Sequence, residues 1–282
     1  MKIINFILYG NVFIALCAYA QTLQTCLIFG KTGVYFDILP IFIAVSTFFL
    51  YNIHKPITYL LKKQLIENQR ILKTKSYSTP LSILTIIGGI LCFFLFFSLK
   101  LATQYSLVLA ALLSLAYVLP VFGGQRLRDL PFIKIFTIAF VWAFVTVILP
   151  IQEYEQLIDS HTILLFLEKT FFIFALTIPF DIRDMDWDAR TNVKTIPLSM
   201  GIQKAKLLSI LSLLISVFII IVLKKQSVYS LINTLALLLS YAVSIFVIMC
   251  TQKDRNDYFF YGLTDGMLIF QSFCLYMLKY IL

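Results

Sequence analysis

Three aspartates within residues 181–188 have the type and spacing of a metal-binding site. In a helix, Asp181, Asp184 and Asp188 stand at positions i, i+3 and i+7 and share one face. A second set with the same spacing falls on the opposite face, where its members can pair with one another: Arg183, Asp186 and Arg190. The first face is then an uncompensated carboxylate cluster, and such hard oxygen ligands suit Mg²⁺ together with waters and substrate phosphates. The alternative is a solvated acidic loop that caps a helix.

The composition places these carboxylates in a membrane protein. Hydrophobic residues make up 60% of the 282 residues, charged residues make up 13%, and the mean hydropathy is +0.92. Continuous apolar runs reach the roughly 20 residues that cross a bilayer, and lipid requires every backbone group to be paired, so we expect helices. Nine spans are predicted, at residues 4–28, 38–54, 81–99, 104–119, 134–150, 162–180, 207–223, 229–250 and 259–280. Residues 1–282 are therefore expected to form a single all-α, polytopic membrane domain.

The net charge of +9 is distributed unevenly over this topology. With the N-terminus inside, most of the basic residues fall in the inner loops, which is the bias of cytoplasmic loops. The outer face is expected to contain Lys31, Lys100, Lys169, Lys224, Lys225 and Lys279. The basic charge is thus a topology signal, which argues against a nucleic-acid partner. We expect a multi-pass protein of a bacterial cytoplasmic membrane, with the lipid bilayer as its surroundings.

The loops with chemically interesting residues all fall on the predicted inner side. They are residues 55–80, 123–129 and 181–206. We therefore expect a polar site at the cytoplasmic mouth of the helical bundle. Three apolar–proline pairs are predicted to mark span ends or kinks, because proline disfavours helix in the residue before it: Leu119-Pro120, Leu149-Pro150 and Ile178-Pro179.

Other polar residues inside the predicted spans leave two interpretations open. Asp265 is either a functional intramembrane acid or a hydrogen-bonded packing residue. Asn11 and Gln21 either line a pocket or connect helices by hydrogen bonds. The five cysteines are scattered without a CxxC pair, so neither a zinc site nor a disulfide framework is indicated.

Two segments resemble motifs of a known family. The positions of the first are Asp181, Asp184, Asp188, Asn192, Lys194, Thr195, Pro197 and Gly201. This segment resembles the second aspartate motif of UbiA-type intramembrane prenyltransferases. The other resembles the loop after that family's fourth helix and the start of its fifth, with Tyr117, Pro120, Arg126, Arg128, Pro131, Lys134 and Trp142. The resemblance implies nine spans with cytoplasmic acidic loops, and an isoprenyl diphosphate held through Mg²⁺ whose prenyl group passes to an acceptor.

The family's first motif, Asn-x-x-x-Asp-x-x-x-Asp, is degenerate in this chain. The corresponding positions are Asn52, Pro56 and Leu60, so only the asparagine remains. Lys55 either supplies part of the charge that a second metal ion would bring, or is a snorkelling lysine at a helix end. His54 is interpreted as a polar interface residue.

These observations favour prenyl transfer from an isoprenyl diphosphate to a lipophilic or aromatic acceptor. Asp184 and Asp188 are predicted to hold the catalytic Mg²⁺, with Asp181 as a further ligand. The predicted substrate-binding residues are Asn52, Lys55, Arg126, Arg128 and Lys194. Two alternatives remain: a membrane terpene cyclase, which ionises the same diphosphate without an external acceptor, and a non-catalytic binder of a polyprenyl lipid or quinone that has lost the first metal site.

Overall fold

All regular elements in the described part of the chain are helices, as expected for the all-α class. A computed structural model describes residues 2–31, 33–61, 78–120 and 126–281, with the backbone alone at 2, 54–61 and 278–281. The α-helices are α1 Lys2–Tyr9, α2 Val12–Ile28, α3 Ile38–Leu61, α4 Ser78–Phe97, α5 Leu101–Val118, α6 Ile133–Ala143, α7 Leu149–Glu153, α8 Ser160–Arg190, α9 Ile196–Met200, α10 Ile202–Lys225, α11 Leu231–Met249 and α12 Gly266–Ile281. Short 3₁₀ turns cover Val34–Phe36 and Leu127–Asp129, and π turns cover Phe144–Ile148 and Phe259–Thr264.

The number of spans is close to the predicted nine. Among the described residues, seven helical segments are long and apolar enough to cross a membrane, and the bent pair α1–α2 makes an eighth if it is one span. The last predicted span, 259–280, is a π turn followed by α12, which has 16 residues. The chain is an integral multi-pass membrane protein, and the count of nine is approximate.

The first span is broken between α1 and α2, which meet at 63°. A Cβ at Gly10 would lie 2.2 Å from the carbonyl oxygen of Phe6, so the chain needs glycine at this break. Asn52 on α3 donates to the carbonyl of Gly10 at 3.0 Å and accepts from the side chain of Asn11 at 3.0 Å. Helix α3 is thereby fastened to the break, which supports the connecting role for Asn11.

Helix α8 carries the acidic segment and is longer than the predicted span. Asp159 caps its start by accepting from the N–H of Thr162 at 2.9 Å, and this bond lowers the pKa of the Asp159 carboxyl. Helix α8 continues through Pro179 to Arg190 and ends where Asn192 adopts the left-handed conformation, with φ of 55°. The predicted end at Ile178-Pro179 is therefore wrong. A proline removes only one helical hydrogen bond, and the surrounding helices support the rest.

The other two proline pairs behave differently from one another. Helix α5 ends at Val118, directly before Leu119-Pro120, as predicted. Pro150 instead lies in the first turn of α7, directly after the π turn Phe144–Ile148, so the helical path continues through it. A missing N–H is tolerated in a first helical turn, which explains the difference.

A buried polar network lies in the half of the bundle opposite the acidic segment. Lys169 is fully buried, and its ammonium group donates to Gln271 at 2.7 Å. Its neighbour Glu168 is also fully buried and accepts from the hydroxyl of Tyr241. The assignment of Lys169 to the outer face is therefore wrong, because α8 begins at Ser160 and places this lysine in its third turn, inside the bundle.

Candidate functional site

The acidic face of α8 is compensated by a lysine from another helix. Lys134, at the start of α6, places its Nζ 2.7 Å from Oδ1 of Asp181 and 3.3 Å from Oδ2 of Asp188. All three residues are buried. The predicted uncompensated carboxylate cluster is therefore wrong, because helical spacing reports only the residues of one helix and α6 lies beside it.

Backbone contacts between the ends of α6 and α8 position this ion pair. Phe132 adopts the left-handed conformation before α6, with φ of 64°, and its N–H donates to the carbonyl of Lys194 at 3.1 Å. The N–H of Val193 donates to the carbonyl of Asp188 at 2.9 Å. The loop after α8 thus holds the start of α6 in place, and Lys134 enters the space between two aspartates one helical repeat apart.

Asp184 is held separately, by its neighbour Arg183. The guanidinium forms two parallel bonds, from Nε to Oδ1 at 2.9 Å and from Nη2 to Oδ2 at 3.0 Å. It also lies over the rings of Phe180, Phe260 and Tyr261, at 4.9, 5.3 and 5.0 Å from their centroids. Such cation–π contacts stabilise a buried guanidinium, so this arginine is fixed in place.

The predicted network of Arg183, Asp186 and Arg190 does not form as expected. Asp186 pairs with Lys253 at 2.6 Å, and its side chain is 68% exposed. Arg183 turns to Asp184 because the aromatic rings lie on that side. Asp186 therefore belongs to an exposed ion pair beside the last loop.

A small polar pocket lies against this ion-paired face. It is lined by Arg126, Arg128, Asp129, Lys134, Trp187, Asp188, Thr191 and Val193 and has a volume of about 20 Å³, room for about one water molecule. Arg126 holds Asp129 through Nε at 2.7 Å and Nη2 at 2.8 Å. Its Nη1 is buried and has no hydrogen-bond partner among the described residues. A buried donor of this kind is suited to an incoming anion.

The structure brings some of the predicted site residues together and separates others. Arg126, Arg128 and Asp188 share the polar pocket with Lys134. Lys194 is exposed, and its carbonyl rather than its side chain contacts α6. Asn52 holds the α1–α2 break, where both its amide and its carbonyl are engaged. The side chain of Lys55 lies outside the described residues.

The donor set fits one hard cation. In the described part of the chain no group of three or more metal-binding side chains is preassembled. The carboxylates of Asp181 and Asp188 nevertheless converge on a single positive charge, the ammonium of Lys134, which marks a place where a cation is held. Carboxylate oxygens are the ligands that Mg²⁺ prefers.

An apolar chamber of about 410 Å³ lies beside the polar pocket, between α3, α5 and α6. Its lining residues include Phe42, Ala110, Leu115, Ile138 and Val145. Three aromatic residues line it as well, and two of them are joined, since the indole N–H of Trp142 donates to the hydroxyl of Tyr51 at 3.2 Å. The third is Tyr117.

The pocket and the chamber meet at a single contact. The guanidinium of Arg128, which lines the polar pocket, lies 5.4 Å above the ring of Tyr117, which lines the chamber. A molecule with an anionic head and a hydrocarbon tail fits this sequence of surfaces, because cations line one part and apolar side chains the other.

Sequence reasoning missed the pairing role of Lys134 and the chamber. A signal for Lys134 was present, because it is a lone cation at the start of an apolar run in a chain with unpaired acids. The chamber residues carry no comparable signal. Aromatic and aliphatic residues fill every span of this protein, so only the packing of α3, α5 and α6 distinguishes those that line a space.

Comparison with known proteins agrees with this architecture. The fold resembles that of a UbiA homolog from Archaeoglobus fulgidus bound to GPP and Mg²⁺, with a TM-score of 0.64, 12% identity and coverage of 98% of this chain and 99% of the other. It also resembles the apo UbiA homolog from Aeropyrum pernix K1, with a TM-score of 0.62, 13% identity and 96% coverage of each chain. A digeranylgeranylglyceryl phosphate synthase structure gives a TM-score of 0.59 at 13% identity, with 99% of each chain covered.

Sequence comparison gives the family directly. No curated protein sequence matches the chain. The model of the UbiA prenyltransferase family matches residues 69–270, which include the acidic segment of α8 and begin after the degenerate first motif. The match covers more than half of the chain, which therefore belongs to the UbiA prenyltransferase family.

Proposed function

We propose that this protein transfers a prenyl group from an isoprenyl diphosphate to a lipophilic or aromatic acceptor at the cytoplasmic side of the membrane. The observation that carries the proposal is the contact between Arg128 and Tyr117, which joins a cation-lined pocket to an apolar chamber. An isoprenyl diphosphate has the matching division into a charged head and a hydrocarbon tail.

The head of the substrate is assigned to the polar pocket. Arg126, Arg128 and Lys134 line it, and the buried Nη1 of Arg126 offers a donor to a phosphate oxygen. Lys55 and Lys194 are proposed to add positive charge near the mouth. The structural bonds of Asn52 place it as a support for α3 beside the site, with substrate contact a secondary role.

The carboxylates of α8 are proposed to bind Mg²⁺, with Asp184 and Asp188 as the main ligands and Asp181 as a further one. Each carboxylate keeps free lone pairs when it accepts one bond per oxygen, so the fork from Arg183 leaves Asp184 able to bind a metal ion. When bound, Mg²⁺ would neutralise charge that builds up on the diphosphate as it leaves. The homologue from Archaeoglobus fulgidus is described as bound to GPP and Mg²⁺, which supports this cofactor.

The reaction proposed here breaks the bond between the allylic carbon and the diphosphate oxygen. The diphosphate leaves with the electron pair, and the side chains of Arg126, Arg128 and Lys134 stabilise its negative charge. The rings of Tyr51, Tyr117 and Trp142 line the chamber, where their faces can stabilise the allylic cation. The acceptor then forms the new carbon bond and loses a proton to restore its neutral form.

Turnover of a labelled substrate tests the proposal. The purified protein in lipid nanodiscs is incubated with Mg²⁺, isoprenyl diphosphates of ten to twenty or more carbons and a panel of quinone precursors and lipid alcohols. We expect release of pyrophosphate and a prenylated acceptor. The variant Arg128→Met should lose most of this turnover, while Lys253→Met, which affects only the exposed pair with Asp186, should keep it.

A second candidate function is supported by a specific observation. The lysine between Asp181 and Asp188, together with the missing acids at Pro56 and Leu60, suits a non-catalytic binder of a polyprenyl lipid or quinone. Unchanged lipid recovered from the protein, with no pyrophosphate released from any substrate, would favour that function. Pyrophosphate release with a cyclic hydrocarbon and no prenylated acceptor would favour a terpene cyclase.

A further inference from the structure

We propose that Lys134 is an internal counter-ion that competes with the divalent cation for Asp181 and Asp188. A metal ion then binds tightly only when a diphosphate is present to accept the displaced ammonium group. This inference rests on the proposed function, and it adds an order of binding and a named residue that enforces it.

The geometry places the ammonium where the metal ion would be held. Its Nζ lies 2.7 Å from Asp181 and 3.3 Å from Asp188, and the three side chains are at least nine-tenths buried. A divalent ion that used both carboxylates would need this same space. Binding of the metal ion and the resting position of Lys134 therefore exclude each other.

Displacement of the lysine by a metal ion alone is unfavourable. A buried ammonium that loses its carboxylate partners is left without compensation, which is a strongly destabilising change. It would also face Arg126 and Arg128, which line the same pocket, so the pocket would hold three cations and a metal ion. Like charges at such short range raise the free energy of the metal-only complex.

A diphosphate removes this obstacle. Its oxygens enter the pocket that Lys134 already lines, so the ammonium exchanges carboxylate for phosphate without leaving the site. The buried Nη1 of Arg126 lacks a hydrogen-bond partner among the described residues and independently indicates an anion at this place. Metal ion and diphosphate then favour each other's binding, and the coupling is reciprocal.

Lys134 differs in this respect from Arg183, the other cation on the acidic segment. Arg183 is fixed by its fork onto Asp184 and by the rings of Phe180, Phe260 and Tyr261. Lysine is a single mobile ammonium on a flexible chain, which suits exchange between two anionic partners.

Binding of Mn²⁺, followed by electron paramagnetic resonance of the free ion, tests the inference without any measurement of activity. The wild-type protein should bind Mn²⁺ at least tenfold more tightly with inorganic pyrophosphate than without it, after correction for the Mn²⁺–pyrophosphate complex in solution. Lys134→Met keeps the shape of the side chain and removes the charge. It should bind Mn²⁺ alone at least tenfold more tightly than the wild type, and pyrophosphate should add less.

Lys253→Met is the matched control, because it removes a lysine that pairs with an aspartate of the same helix at an exposed position. It should behave as the wild type. The inference is overturned if wild-type protein binds Mn²⁺ equally well with and without pyrophosphate, or if a folded Lys134→Met binds Mn²⁺ alone no better than the wild type. The wild-type comparison decides the matter if the variant fails to fold.

The two proposals fail in distinguishable ways. If the wild type shows no coupling but still releases pyrophosphate from an isoprenyl diphosphate, the ordered binding is wrong and the proposed function stands. If the protein binds Mn²⁺ under neither condition and releases no pyrophosphate, both are wrong.

Discussion

At the scale of single residues, each aspartate of the acidic segment has a different electrostatic role. Asp181 and Asp188 share one mobile cation, Asp184 has a fixed one, and Asp186 has an exposed partner in Lys253. Four carboxylates within eight positions of one helix are therefore not interchangeable. Their differences come from residues on α6 and from the loop before the last π turn, which helical spacing alone does not include.

Asparagine substitutions along this segment test these roles. Asp188→Asn and Asp184→Asn should abolish Mg²⁺-dependent turnover, because the diphosphate then lacks a bridging cation. Asp186→Asn removes an exposed pair worth under about 1 kcal/mol and should leave the Mg²⁺ dependence intact. Each variant is titrated with Mg²⁺ in the presence of an isoprenyl diphosphate, and pyrophosphate release is measured. Equal losses in all three would contradict the division of roles.

Asn52 allows a structural role to be separated from substrate binding. Its side chain joins α3 to the α1–α2 break, so Asn52→Leu leaves buried backbone and side-chain groups without partners. Loss of such bonds typically destabilises a protein by about 1–3 kcal/mol. We expect a lower unfolding midpoint, with the affinity of the remaining folded protein for pyrophosphate unchanged within twofold. A large loss of affinity at full stability would instead show that Asn52 contacts the substrate.

At the scale of elements, α8 connects two polar regions through an apolar stretch. Glu168 and Lys169 lie near its outer end and Asp181 near its inner end, thirteen residues after Glu168 in the sequence, which corresponds to about 20 Å along a helix. Serine hydroxyls of α10 donate to carbonyls of α8 between these regions, from Ser209 to Ala175 at 2.6 Å and from Ser216 to Glu168 at 2.9 Å. Small residues let the two helices approach closely.

The buried neighbours Glu168 and Lys169 should be energetically coupled. Removal of one member leaves the other charge without compensation, so Lys169→Met should destabilise the protein by about 3–5 kcal/mol. The double variant Glu168→Gln with Lys169→Met removes both charges and should recover part of this loss. Thermal unfolding in detergent of the two single variants and the double variant measures the coupling. A double variant less stable than the sum of the single changes would contradict it.

The chamber between α3, α5 and α6 should set the accepted prenyl length. Ala110 on α5 lines it and is 5% exposed, so Ala110→Phe would fill part of the space. Turnover of the longest accepted diphosphate should fall at least tenfold, with shorter ones less affected. Leu109→Phe on the exposed side of the same helix is the control and should change neither. An equal loss for all lengths in Ala110→Phe would indicate misfolding rather than a length limit.

At the scale of the whole molecule, hydropathy and charge suffice to predict the class. Lipid imposes continuous apolar helices, so the spans and the single all-α domain follow from composition. The helix of the acidic segment and the shared location of Arg126, Arg128 and Asp188 were also predictable. The ion pair of Lys134 with Asp181 and Asp188 was not, because it depends on how α6 and α8 meet, which has no periodic signature in the sequence.

The orientation of the bundle is the last prediction, and it follows from charge. The loops at 55–80 and 181–206 are rich in lysine and arginine, so both should lie in the cytoplasm. In a background with all five cysteines replaced, single cysteines at Lys63 and Arg190 should resist an impermeant thiol reagent added to intact cells. Leu157, which is 87% exposed in the loop before α8 at the opposite end, provides the control position and should be labelled. Labelling at Arg190 without permeabilisation would place the acidic segment outside, where a cytoplasmic isoprenyl diphosphate could not reach the pocket, and the proposed function would then be wrong.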